Sequence, residues 1–292
     1  MQLDGSLTCN ECDGSARLCR NRTDYAVCNA ATELNSSLCR YCAMNRVIPD
    51  LAVDDNLEKW RLLERAKHRV LYGVDRIGLP LITGLASGVG PALAFEFKAA
   101  GPTPVSTGHA AGKITINIAE ADSVHREQNR VEFGEPHRTL VGHFRHELGH
   151  YFWDVCVAPS RLSEYRLLFG DERRPTYEEA KAQYYAAGPP QGWWANYVSQ
   201  YATMHSWEDF AETFNAYLDM VAIVETSTYF ERILMDVNTR DFDSLLHAYR
   251  DIGIVVNELN RDMGLPDLVT EVFTPTVIEK LRFVHALRDV TV

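Results

Sequence analysis

The sequence predicts an α+β protein dominated by helices: a small cysteine-rich segment, a small sheet, then many helices. Three observations predict it. Six of the seven cysteines fall within the first 42 residues. Two short runs, Leu93–Phe97 and Lys113–Ile118, alternate apolar and polar residues with the period of a strand. Past residue 139, apolar residues recur at helical spacing in segment after segment.

Residues 1–46 form the first expected domain. They are polar, rich in Cys and Asn, and too few to build a core alone, so bound metal has to hold them together. Two CxxC pairs, Cys9/Cys12 and Cys39/Cys42, point to zinc rather than disulfides, because no export signal precedes them. Cys19 and Cys28 lie between the pairs and leave the choice of four thiolates open. Residues 47–292 form the second expected domain. Asp54–Ile77 reads as a helix with Leu57, Trp60, Leu63, Ala66, Val70 and Val74 on one side, and Asp55 or Asn56 can cap it. Gly78–Gly90 is glycine-rich but lacks the Gly-Lys-Ser/Thr ending of a phosphate loop, so it is read as a plain loop. Glu120–Val131 reads as a polar helix. Further helices are expected over 139–155, 163–168, 177–185, 206–224, 242–263 and 275–288, with breaks at Gly188–Gly192 and Gly264–Pro266.

Across its 292 residues the chain carries a net charge of −11, which leaves no basic surplus to neutralise nucleic-acid phosphates or an anionic membrane. No run of about 18 apolar residues would span a bilayer. The first residues lack a basic and an apolar region of the secretory kind, so the expected compartment is the cytoplasm.

The stretch His146-Glu147-Leu148-Gly149-His150 carries the most chemistry. Four residues apart on a helix, the two imidazoles share a face one turn apart and can bind one zinc ion. Glu147 lies roughly 100° around the helix and can reach a zinc-bound water. Leu140, Phe144, Leu148 and Tyr151 recur beside the motif as an anchoring apolar stripe. Catalytic zinc takes three protein ligands and leaves one position for water. No histidine closely follows His150. Asp154 lies a further turn along, about 6 Å higher, too far to close a tetrahedron. Glu208 and Glu212, one turn apart on a later amphipathic helix, can supply a ligand and a hydrogen-bond partner for a ligating histidine; on spacing alone a solvated acidic helix start fits them equally. Cys156 reads as a small buried hydrophobe.

Together HFRHELGHYFWD (143–154), YATMHSWEDFAETF (201–214), NRVIPDL (45–51) and ITINIAEAD (114–122) resemble a family of zinc-binding metallopeptidases of bacteria over nearly the whole chain. The resemblance implies a zincin-like peptidase domain of the gluzincin type behind a zinc-ribbon-like segment. It implies Glu208 as third zinc ligand, Glu212 as the residue behind a ligating histidine, and Tyr201 as a candidate oxyanion donor, with His205 a weaker rival. It also implies Cys19, Cys28, Cys39 and Cys42 as one structural site, matching a CxN…CN…CxxC cluster, with Cys9/Cys12/Cys39/Cys42 as the alternative. The expected function is hydrolysis of a peptide or protein substrate, with His146, His150 and Glu208 on one catalytic zinc and Glu147 as general base. The alternative is a zinc-containing interaction module that meets a protein partner through its N-terminal segment. Lys113–Ile118 is a candidate edge strand for an incoming peptide.

Overall fold

The computed structural model describes residues 6–8, 13–83, 90–101, 104–124, 126 and 139–290. Cys9, Cys12 and most of the expected polar helix over 120–131 lie outside them. The chain forms two compact units, Met1–Tyr72 with Ile82–Phe144, and Gly73–Leu81 with Arg145–Val292. The α+β, helix-dominated architecture is the expected one.

In the first unit, β1 (Ser6–Thr8), β2 (Ser15–Leu18) and β3 (Ala31–Thr32) pair as a small antiparallel sheet, with the single turn α1 (Arg20–Thr23) between β2 and β3. Next come β4 (Asn45–Val47), α2 (Asn56–Arg76), β5 (Ala94–Lys98), β6 (Gly108–Ala110) and β7 (Lys113–Asn117). The second sheet has the order β4-β5-β7-β6; β5 is parallel to both β4 and β7, and β6 is antiparallel to β7. Phe95, Phe97, Ile114 and Ile116 are buried, and Phe144 packs on both phenylalanines with ring centroids 5.9 and 6.3 Å away. On α2, Trp60, Leu63, Ala66, Val70 and Val74 are buried as the periodicity predicts, whereas Leu57 is exposed in the first turn. Asn56 donates its side-chain amide to the Asp50 carbonyl.

Two expectations about the sheet change. β4 and β6 lie outside the expected strands, because three residues each are too short for a periodic signal. β7 is not an edge: β5 and β6 occupy both of its hydrogen-bonding sides, so it has no free ladder for a peptide. The hairpin that covers it turns at Ala111 and Gly112, both with positive φ. A Cβ on Gly112 would stand 2.7 Å from the Ala92 carbonyl oxygen, so glycine is required there.

The second unit is built from α3 (Leu140–Phe152, whose first turns belong to the other unit), α4 (Leu162–Phe169), α5 (Tyr177–Ala187), α6 (Ser206–Tyr229), α7 (Phe242–Asp262) and α8 (Pro275–His285). Side-chain caps begin α3, α5, α7 and α8: Thr139 Oγ1 accepts from Gly142 N, Thr176 and Glu179 form a capping box, and Asp241 and Thr274 cap α7 and α8. Phe152 stacks on Phe214 at 5.2 Å, and Tyr165, Phe169, Phe210 and Phe283 form an aromatic core between α4, α6 and α8. Among the described residues no helix is long and apolar enough to cross a membrane.

Candidate metal centres

The His-Glu-His motif lies in the last turns of α3, before the chain loosens into a π-helical turn at Trp153–Val157. Leu148, Tyr151 and Phe152 are wholly buried and anchor this end. Gly149 sets how closely α3 meets α6: a Cβ there would lie 2.7 Å from Ala211 Cα. Glu208 and Glu212 flank Ala211 in sequence, so this backbone approach brings both carboxylates to the histidines.

His146 Nε2, His150 Nε2 and Glu208 Oε2 converge. The two nitrogens are 3.1 Å apart, and the carboxylate oxygen lies 3.0 and 3.4 Å from them. Tetrahedral zinc with nitrogen and oxygen ligands near 2.05 Å sets its ligands about 3.3 Å apart, so the spacing fits one ion. Chemistry fits too. Glu212 Oε1 is 2.6 Å from His146 Nδ1, and a neutral ring donating there presents its Nε2 lone pair to Glu208 Oε2. That buried oxygen has no hydrogen-bond donor of its own. Converging lone pairs call for a cation or a proton. Burial opposes charge on His146, but Glu208 and Glu212 outweigh it and raise its metal-free pKa well above the usual imidazole range. Burial likewise opposes charge on Glu208, and the two histidines hold its carboxyl well below the usual range.

The surroundings are ordered by elements far apart in sequence. Ser199 Oγ donates to Glu212 Oε2 at 2.6 Å and accepts from Ala202 N at 3.1 Å. The Trp207 indole lies on His150, ring centroids 3.7 Å apart. Glu147 is buried at 8% exposure. Tyr201 opens a short 3-10 turn, its ring 6.0 Å from His146; burial, then the Glu208 charge, push its hydroxyl above the usual phenol range. His205 caps α6 through Nδ1, which accepts from Trp207 N at 3.2 Å. Asp154 sits in the π-helical turn, where burial pushes its carboxyl up and the His150 charge pulls it down.

Tyr177, at the start of α5, is the residue the sequence reading missed. Its O–H donates to Glu208 Oε1 at 2.9 Å. No local pattern marks it; its only sequence signal is the Thr176–Glu179 capping box that fixes where α5 begins.

The second cluster belongs to the other unit. Cys19, Cys28, Cys39 and Cys42 are all buried, and their sulfurs lie within 4.8 Å of one another. Cys28 and Cys39 Sγ are 3.8 Å apart, far beyond a disulfide and equal to the separation of about 3.8 Å that tetrahedral zinc imposes on thiolates. Ala30 N donates to Cys28 Sγ and Cys39 N to Cys19 Sγ, both at 3.3 Å. Cys42 Sγ also lies 3.4 Å from His68 Nε2, and that nitrogen is 3.3 Å from Glu64 Oε2. Glu64 is wholly buried beside the equally buried Lys67, 2.9 Å away; burial opposes its charge, but Lys67, His68 and Asn45 together outweigh it and hold the carboxyl down at about 2. A carboxylate already neutralised by an ammonium is a poor metal ligand. Cys156 is buried apart from both clusters, and burial pushes its thiol up to about 12.

Comparison with known proteins agrees with this chemistry. The profile of the family described as "putative zinc-binding metallo-peptidase" matches residues 56–287. Two relatives, uncharacterized proteins of Mycobacterium tuberculosis and Mycobacterium bovis, are each 36% identical over 290 residues, covering 95% of this chain and 84% of their own length. No solved structure gives a significant match. With the profile spanning both HELGH and the Glu208 helix, the chain belongs to this zinc-binding metallopeptidase family.

Proposed function

We propose that this protein is a zinc-dependent, gluzincin-like peptidase acting on peptide or protein substrates, with His146, His150 and Glu208 holding the metal and Glu147 as general base. The observation that carries the reading is the convergence of His146 Nε2, His150 Nε2 and Glu208 Oε2 within 3.4 Å, with Glu147 in the same helical turn. When bound, zinc supplies Lewis acidity, lowering the pKa of a water toward about 7 and polarising a carbonyl. Glu147 takes the proton of the attacking water and passes it to the leaving amine nitrogen. Glu212, steadied by Ser199, holds His146 in the tautomer that offers Nε2. Tyr201 stays protonated and donates its O–H to the developing oxyanion. Cys19, Cys28, Cys39 and Cys42 hold a second, structural zinc within residues 1–46, giving two zincs per chain and leaving residues 47–292 as the peptidase domain.

Glu147→Gln tests this reading. Cleavage of a peptide library should fall about 10³-fold in kcat/KM, within the range for loss of a general base, while zinc content is unchanged. Equal cleavage by the variant and the natural protein rules out Glu147 as the base.

A further inference from the structure

We infer that Tyr177 is a positioning residue that fixes Glu208 as a one-oxygen metal ligand, leaving the fourth side of the site open. The inference rests on the metal site proposed above and adds a residue from outside both motif helices. Glu208 presents Oε2 to the two histidine nitrogens, while Tyr177 O–H holds Oε1 at 2.9 Å. A carboxylate with one oxygen tied to a donor cannot swing both oxygens onto an ion without breaking that bond. Glu208 is 2% exposed, so losing that donor leaves Oε1 buried without a hydrogen bond.

The phenol is itself held in place. Its ring meets the His205 and Trp207 rings at 5.5 and 6.0 Å, and the box at Thr176 and Glu179 pins the first turn of α5. Trp207 also lies on His150, so one cluster of rings locates both the phenol and a second histidine.

Tyr177→Phe keeps the ring and removes only the hydroxyl. In the full-length zinc protein, the zinc that His150→Ala loses should be released to a chelator about 10-fold more readily in Tyr177→Phe, the lower end of the effect of removing a residue behind a metal ligand. The cobalt-substituted variant should show weaker visible d–d bands, the signature of a carboxylate that now binds through both oxygens and raises the coordination number. Lys181→Ala, at an exposed position on the same helix, should leave both readouts unchanged and so controls for disturbance of α5. A Tyr177→Phe protein with natural zinc release and an unchanged cobalt spectrum overturns the inference. Neither readout needs turnover, so failure here is distinct from failure of the Glu147 test.

Discussion

The cysteine cluster and the histidine–glutamate cluster meet the same metal-distance requirement in opposite settings. Four sulfurs, all buried, are drawn from loops and single turns around a three-stranded sheet of short strands, and two of them accept backbone N–H groups. The apolar neighbours of that cluster are few: Ala30, Leu38 and Tyr41. At the other site three donors project from two long helices whose packing is already complete, through Phe152 on Phe214 and Gly149 against Ala211. Beside these donors, Tyr177 holds the second oxygen of Glu208, and Glu147 is buried in the same helix. In the first region a bound metal would stand in for a core; in the second a core presents candidate metal ligands. The first suits a structural ion and the second a reactive one.

The largest expected effect tests that contrast directly. Cys39→Ser should unfold the N-terminal segment, because structural zinc contributes on the order of 10 kcal/mol to such folds. Limited proteolysis should cut within residues 13–45, and one zinc should be lost. His150→Ala should also lose one zinc but keep a cooperative melt and a protease-resistant core. If both variants unfold alike, the two regions do not differ in the way described.

Next in size is the helix crossing. Gly149→Ala forces a methyl against Ala211 Cα at 2.7 Å and should destabilise the protein by about 1–3 kcal/mol in urea unfolding. Adding Ala211→Gly should not rescue it, because the clash is with the α-carbon rather than the side chain. Natural stability in Gly149→Ala would mean that the carboxylates reach the histidines by some route other than this close approach.

The smallest effect is a proton count. Metal-free His146 holds its proton well above the usual imidazole range, because Glu208 and Glu212 outweigh the burial that opposes its charge. Zinc requires the neutral ring, so binding at pH 7 should displace about one proton from this imidazole, and affinity should rise with pH until His146 deprotonates unaided. Calorimetry in two buffers of different ionisation enthalpy, on protein whose cysteine site is already filled, measures the count. A value near zero would show that the carboxylates do not hold that proton.

Much of the candidate site was legible because its signals lie within single elements. The four-residue spacing of His146 and His150, and of Glu208 and Glu212, is the geometry of one helical turn and needs no partner to interpret. The cysteine spacing limited the thiol set without choosing it, because several sets of four satisfy the same loop lengths. Folding selects Cys19, Cys28, Cys39 and Cys42 as the described thiols that meet.

The sequence by itself determined the α+β class, the helix bearing the motif, and the ligand types, all consequences of periodicity and of what histidine, glutamate and cysteine can donate. Only the tertiary structure decided what lies behind and beside those ligands. Tyr177 is 31 residues from the carboxylate it holds, Ser199 is 13 from the one it steadies, and β4 closes a sheet no three-residue pattern could announce. These partnerships depend on how closely elements cross, which at α3 and α6 is set by the missing side chain of Gly149 and the small one of Ala211; local spacing carries no record of that distance.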